Sequence, residues 1–281
     1  MKKTGKIILA VLGIALIALA VKGMLEIPGQ KAVLEKAVYL DEAMVLPENE
    51  GKLVIIHGVP EMINPVYDEE LGLTIDAIKA YRYKETYKQT GFTDEEKKWE
   101  WVTGEHTSLT GRAKIGEFEL DAEILIAFPA ESDYTDFDAE EVKDYVLTYK
   151  SVATGEVVVL PDGGYYADSE VVREGDSYFN WLGAYAVADR LEGKTAYRYK
   201  FYDFDQHGEH TVAGIQQGRL LVKDETVGAL VREGVLTKDK VLSSNRNSIL
   251  GGAICFLCIG IVLIAMALRK PKFQREKKGA A

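Results

Sequence analysis

Two apolar runs frame this chain. Ile7–Val21 ("IILAVLGIALIALAV") holds fifteen residues without a charge, and Ile249–Leu268 ("ILGGAICFLCIGIVLIAMAL") holds twenty. At ~1.5 Å of rise per residue the second reaches across a ~30 Å hydrocarbon core. The first covers roughly 22 Å, and spans only if Lys6 and Lys22 snorkel or "KGML" extends it. It can also be read as a cleaved signal, with a charged "MKKTGK" start and small residues at Ala18–Ala20. The retained anchor is the reading adopted. Both runs abut basic residues: Lys2, Lys3, Lys6 and Lys22 at one end, "RKPKFQREKK" at the other. Such flanks stay in the cytoplasm. The expected layout is therefore a cytoplasmic N-terminus (1–6), a transmembrane helix or signal anchor (7–24), an extracytoplasmic strand-rich domain (25–248), a second transmembrane helix (249–268) and a basic cytoplasmic tail (269–281).

Between the runs the pattern changes period. Leu53–Ile56, inside "ENEGKLVIIHG", follows a glycine turn at Gly51 and predicts a strand buried on both faces. In Pro28–Leu46 the apolar positions Ala32, Leu34, Ala37, Val38 and Leu40 fit either a helix or an extended entry strand, and periodicity does not decide between them. In "AYRYKETYKQTGFTDEEKKWEWVTGEH", Tyr81, Tyr83, Glu85 and Tyr87 alternate with Arg82, Lys84, Thr86 and Lys88. Trp99 and Trp101 return two apart, which predicts a hairpin. Its aromatic face suits a core, a dimer contact or a carbohydrate-stacking surface. Lys114–Phe128 places Phe118, Leu120, Ala122 and Ile124 at period two, a strand. "FDAEEVKDYVL" sets Phe137 ahead of Asp138 with Glu141 three residues on, a capping box that predicts a short helix. "GEVVVLPDGGYY" is a β-branched strand running into a turn. "GKTAYRYKFYDFDQHGEHTVAGIQQGRLLV" predicts a second hairpin with its loop near Asp203–Glu209. Asn245 and Asn247 mark the lipid boundary. The fold class expected is α+β, a strand-rich extracytoplasmic domain between two transmembrane helices.

Charge narrows the partners. The flanks hold ten of the 34 basic residues and one of the 44 acidic ones, leaving a middle segment of about −19 against −10 for the whole chain. A surface that acidic repels phosphates, so nucleic acid is not a partner. Only Cys255 and Cys258 occur, both inside the second apolar run, so the middle domain contains no disulfide. The small residues Ala10, Gly13 and Ala20 in the first run, and Gly251, Cys255, Cys258 and Ala265 in the second, suggest two helices that pair, within a chain or between chains. "CFLC" reads as part of that inert seam.

The densest cluster of candidate ligands is "YDFDQHGEH". Asp203, Asp205, His207 and His210 are its weak metal candidates, with Glu209 between the histidines. Asp203-x-Asp205-x-x-Gly208 opens like a calcium loop, yet Gly214 stands at the twelfth position, where a bidentate Glu belongs. The His207–His210 spacing is not that of a zinc-protease helix. A solvated hairpin tip is the plainer reading. No nucleophile elbow, phosphate-binding glycine loop or zinc-protease pair occurs, so no catalytic residue, cofactor site or metal site is assigned.

Taken in order, several segments resemble the transmembrane protein 43 family, also called LUMA. They are an N-terminal span, "NEGKLVIIHG" (49–58), "DEELGLTIDAIKAYRYKETYKQ" (68–89) with its "WEWV" return, "IGEFEL" (115–120), "VVREGD" (171–176), "GKTAYRYKFYDF" and "REGVLTKDKVLSSNRNS". The resemblance covers most of the chain. It implies a membrane protein whose large domain faces a lumen or the exterior. Eukaryotic members are held to organise membrane protein complexes, including emerin and lamins, at the inner nuclear membrane and endoplasmic reticulum. Those members have several spans after the domain where one follows here, so the lamina-linked partnerships are not carried over. The family lends no catalytic residue.

These readings converge on a membrane-anchored scaffold or assembly protein, not an enzyme. Its partners are the lipid bilayer and membrane proteins or further copies of itself. The alternative is a membrane sensor that binds a cation or small ligand through its extracytoplasmic domain. The short "MKK" start and compact tail read as bacterial, which places the chain in a plasma membrane, with the endoplasmic reticulum or nuclear envelope as the alternative.

Overall fold

The computed structural model describes residues 3–93, 96–135, 147–151, 155–159, 165–167, 170–172 and 195–269. The helices among them are α1 (Lys3–Lys36), α2 (Ala122–Leu125) and α3 (Lys238–Leu268). The strands are β1 (Val38–Tyr39), β2 (Leu53–Gly58), β3 (Glu61–Asn64), β4 (Val66–Asp68), β5 (Leu73–Ile75), β6 (Lys79–Thr93), β7 (Glu96–Thr110), β8 (Arg112–Ile115), β9 (Phe118–Leu120), β10 (Ser132–Asp133), β11 (Leu147–Ser151), β12 (Gly155–Val159), β13 (Tyr165–Ala167), β14 (Glu170–Val172), β15 (Thr195–Phe201), β16 (His210–Gln217), β17 (Leu220–Val222) and β18 (Leu230–Glu233). They form two compact units. One is built on α1 and α3, the other on residues 38–224 with 228–235. The α+β class and the strand-rich segment between two apolar helices agree with the sequence reading.

In the helical unit α1 and α3 run antiparallel. Lys6 Nζ donates to the Arg269 carbonyl at 2.7 Å near one end, and Lys238 Nζ donates to the Glu35 and Ala37 carbonyls at 2.6 and 2.7 Å near the other. The lysine thereby satisfies carbonyls that the end of α1 leaves open. Both helices are long and apolar enough to cross a membrane. Each extends past its apolar run, so Pro28–Lys36 is helical and the chain becomes extended only at β1. Gly13 and Ala20 are buried on α1, and Ala253, Gly260 and Ala267 on α3, a seven-residue spacing typical of supercoiled pairs. At Gly13 a Cβ would lie 2.7 Å from the Gly260 carbonyl oxygen, and at Gly260 it would lie 2.7 Å from that of Gly13. Only glycine permits this backbone approach. The expected pairing is therefore intramolecular, but its seam on α3 differs from the sequence reading. Gly251, Cys255, Cys258 and Ala265 are exposed, while Ala253, Gly260 and Ala267 face inward.

The second unit holds two large sheets and the small β4–β5 pair. One sheet has the order β1-β2-β16-β17-β9-β8-β3, with β18 also on β16; the other has β14-β13-β12-β11-β15-β6-β7, with β10 on β15. Leu53, Val54, Ile55 and Ile56 are buried because β2 lies inside its sheet, as a continuous apolar run implies. Val54 and Ile56 join Ile115, Phe118, Leu120, Ile124, Leu125, Phe128, Tyr202, Val212 and Leu221 in one core cluster. Val66, Leu73, Ile75, Ala77, Ala80, Tyr134 and Tyr199 form a second.

The first hairpin is present: β6 pairs antiparallel with β7 from Lys79↔Thr110 to Thr93↔Glu96. Two expectations are corrected. Ala122 and Ile124 do not continue a strand; Asp121 accepts a hydrogen bond from the Glu123 amide and starts α2. Nor do β15 and β16 form a hairpin. β15 pairs with β6 in one sheet and β16 with β2 in the other, so the segment between them crosses from sheet to sheet. The two-residue hairpin lies later, at Gly218 and Arg219 between β16 and β17, with Gly218 at φ +58°. The helix expected around Phe137–Glu141 and the turn after Val159 lie outside the described residues.

Candidate functional site

The sheet-to-sheet crossing carries the sequence-predicted ligands, and the fold separates them. Asp203 and Asp205 line an acidic cleft of about 320 Å³ with Asp76 and Asp133, walled by Tyr134, Phe201 and Phe204. The Asp205 amide donates to Asp203 Oδ1 at 2.9 Å, which commits one carboxylate oxygen to the turn itself. Asp133 Oδ1 is enclosed and unpartnered among the described residues.

His207 and His210 instead pack on Tyr202, an aromatic residue of the core. The Tyr202 and His207 rings stack with centroids 5.0 Å apart at 23°, and His210 lies 5.0 Å from Phe128. His210 Nδ1 donates to the Gly208 carbonyl at 3.0 Å, which leaves Nε2 as an acceptor that is buried without a partner among the described residues. Burial pushes the His210 pKa below its ordinary value, helped by neighbouring His207 and opposed by the Gly208 carbonyl and Glu233. Burial likewise raises the Tyr202 pKa, with Glu233 adding to it. His207 Nδ1 lies 3.7 Å from Glu233 Oε1, beyond hydrogen-bond reach. Among the described residues no three His, Cys, Asp or Glu side chains come together as a metal site. Gly214 has a packing role: a Cβ there would lie 2.7 Å from Leu221 Cγ and from the Val222 carbonyl oxygen.

A buried ionic network, not visible as a motif, lies under the tyrosine hairpin. Asp68 accepts from Arg82 Nη1 at 2.7 and 2.9 Å, from Tyr199 Oη at 2.7 Å and from the Glu70 amide at 3.0 Å. Arg82 also pairs with Glu70. Burial works against the Arg82 charge, yet Asp68 and Glu70 together raise its pKa. Burial and the Asp68 carboxylate push Tyr199 upward. Nearby, Arg198 Nη2 donates to the buried Glu85 at 2.5 Å, and Thr103 Oγ1 donates to the same carboxylate at 3.0 Å. Lys79 is buried, donates to the Ile126 and Phe128 carbonyls, and sits 4.4 Å from the Tyr81 ring centroid. Asp68, Lys79, Arg82 and Glu85 are buried within the sheet, while the Glu70 carboxylate reaches solvent. The only sequence signal for them is Arg82 within a tyrosine alternation and an acidic "DEE" upstream.

The exposed feature is the outer strand of the same hairpin. β7 ends its sheet, and Thr103–Ser108 are exposed along it. His106 stands on this strand against the Tyr81 and Tyr83 rings, at 5.9 and 6.0 Å. Fifteen residues at ~3.4 Å give roughly 50 Å of strand, far beyond the usual five or six residues.

In comparisons with protein-family models, curated proteins and solved structures, the chain matches none.

Proposed function

We propose that the chain is a two-pass membrane-anchored scaffold, with α1 and α3 as anchor and the strand-rich domain as its binding surface. Both termini lie in the cytoplasm and the acidic domain outside it, by the distribution of Lys and Arg. The ordered segments that resemble the transmembrane protein 43 family support an outward-facing domain, while the single span after that domain departs from the family's several. The observation that carries the reading is β7, a long strand at the end of its sheet. Among the described residues it is hydrogen-bonded as a strand to β6 alone, with β4 packed near it. An unpaired edge of this length is a template for strand addition by a partner or a second copy.

The test is light scattering and co-purification of the full chain in mild detergent, with Thr107→Pro and Ser108→Pro compared. Successive residues alternate their amides between partner and outside. One proline should therefore abolish the assembly while leaving the melting temperature in place, and the other should weaken the hairpin itself. A monomer without partners, or an assembly untouched by both substitutions, refutes edge pairing.

A further inference from the structure

The helical unit contains a groove of about 300 Å³ where α1 and α3 pass beyond their apolar segments. One lining residue, Asn245, donates from Nδ2 to Gln30 Oε1 on the facing helix at 2.8 Å. Sequence reading marks Asn245 only as a lipid boundary; the structure places it inside the helix pair, 9% exposed. The charged lining residues are ordered along the axis, with Leu34, Leu242 and Ser243 between the cations and the acids. Ile27 and Ile249 stand at the apolar end, Lys31 and Arg246 about one turn farther out, and Glu35 and Asp239 farther still. At ~1.5 Å per residue the cations stand roughly 5–6 Å beyond the isoleucines, and the acids roughly 6–10 Å beyond the cations.

Positive then negative positions just beyond an apolar end suit a phospholipid with a zwitterionic head. A phospholipid presents acyl chains, then phosphate, then the head group. When the head is ethanolamine, a primary ammonium with three N–H donors follows the phosphate by a few atoms. Choline has no N–H to give the carboxylates, and a glycerol head brings no positive charge to them. Arg246 is exposed and, among the described residues, has no ion-pair partner, which leaves its planar fork open to a phosphate. Lys31 and Glu35 meet at only 3.5 Å with both side chains more than half exposed, a weak pair that a ligand can replace.

We propose that this groove seats a phosphatidylethanolamine molecule, its phosphate on Arg246 and Lys31 and its ammonium on Glu35 and Asp239. The inference rests on the membrane reading given above, since it needs both apolar segments in lipid.

The experiment uses the full chain. Alkaline carbonate extraction of membranes comes first: release into the soluble fraction overturns the membrane reading and this inference with it. If the chain stays in the membrane, delipidated protein in detergent is titrated with dioleoyl phosphatidylethanolamine, phosphatidylglycerol or phosphatidylcholine. Water-soluble phosphoethanolamine forms the fourth arm, and binding is read by native mass spectrometry. The expected result is preferential retention of phosphatidylethanolamine. Its apparent Kd should rise about five-fold in Arg246→Gln, the change expected for about 1 kcal/mol per basic side chain at a lipid surface. Asp239→Asn should weaken phosphatidylethanolamine while leaving phosphatidylglycerol unchanged. Equal retention of the three lipids, or no effect of either substitution, overturns the lipid site alone. Binding of free phosphoethanolamine as tightly as the lipid assigns the groove to a soluble ligand and also overturns it.

Discussion

Arg82→Met offers a direct measure of what holds the strand-rich unit together. Asp68 and Arg82 have side chains 1% and 9% exposed, and they meet in a two-bond contact at 2.7 and 2.9 Å. Methionine fills much of the same volume but leaves Asp68 as a buried carboxylate whose remaining donors among the described residues are Tyr199 and the Glu70 and Leu71 amides. Removing one partner of a buried pair costs about 3–5 kcal/mol, because the remaining charge keeps its desolvation penalty without its counter-charge. The Arg82–Glu70 contact adds little, since the Glu70 side chain is 55% exposed. For a domain of this size each kcal/mol moves the midpoint by about 2–4 °C, so the melting temperature should fall by about 6–20 °C. The assay is near-ultraviolet circular dichroism of the full chain in detergent, following tyrosine packing during heating. Tyr199→Phe removes one hydrogen bond to a carboxylate that Arg82 still neutralises, and should cost only about 1.5–3 kcal/mol. Asp68→Leu with Arg82→Met removes both charges and should recover most of the loss. A single Arg82→Met variant melting within about 2 °C of the parent refutes the argument. So does a double variant less stable than either single one.

Two other outcomes follow from the packing. Because burial lowers the His210 pKa, the folded state takes up that proton at lower pH than the unfolded chain does. The corresponding stability is complete above the unfolded value near 6.5 and is lost as pH falls towards the folded one. Melting temperature should therefore drop between about pH 7 and pH 5, and His210→Phe should flatten that slope; an unchanged slope assigns the loss to other groups. In the helical unit, Gly260→Leu drives a side chain against the Gly13 carbonyl at 2.7 Å and Ile17 Cγ1 at 2.8 Å. Overpacking of this kind costs about 1–3 kcal/mol, so the helix pair should come apart at lower dodecyl sulfate concentration in a helicity titration. Gly251→Leu, which meets nothing within 4 Å, should leave the transition unmoved.

What the sequence discloses depends on how local its physics is. The two apolar helices, the buried β2 and the β6–β7 hairpin are legible because run length and period two act within a single element. The Gly13 and Ala20 seam is legible for the same reason. On α3 the cysteines and glycines are abundant enough to suggest a different face, and only the register against α1 selects Ala253, Gly260 and Ala267. Asp121 ends a period-two pattern by capping α2, a side-chain-to-backbone bond that competes with the strand the hydrophobic positions suggest. The largest departure is β15 and β16. Both alternate like hairpin arms and are joined by a polar loop, yet Tyr202 and His210 are buried at the junction and turn the chain into a second sheet. Spacing cannot show this, because the partners of each arm, β6 and β2, lie far away in sequence. The same distance hides the Asp68–Arg82–Tyr199 network, whose tyrosine is 131 positions from its carboxylate. It also hides the split of the "YDFDQHGEH" candidates into aspartates on a cleft and histidines in a core.

The placement of β16 beside β2 has a consequence for how a cell makes this protein. Gln216 Nε2 closes against the Leu46 carbonyl, a partner synthesised 170 residues earlier. At 5–20 residues per second the ribosome needs on the order of ten to thirty seconds to deliver that match. Throughout that wait the nascent "LVIIHG" segment has no neighbour on the side that β16 will occupy. Non-local pairing of this kind is slow and exposes sticky strands to aggregation. Biogenesis of the chain should therefore lean on a chaperone stationed where the domain emerges, and depletion of that chaperone should be felt first as degradation of newborn copies.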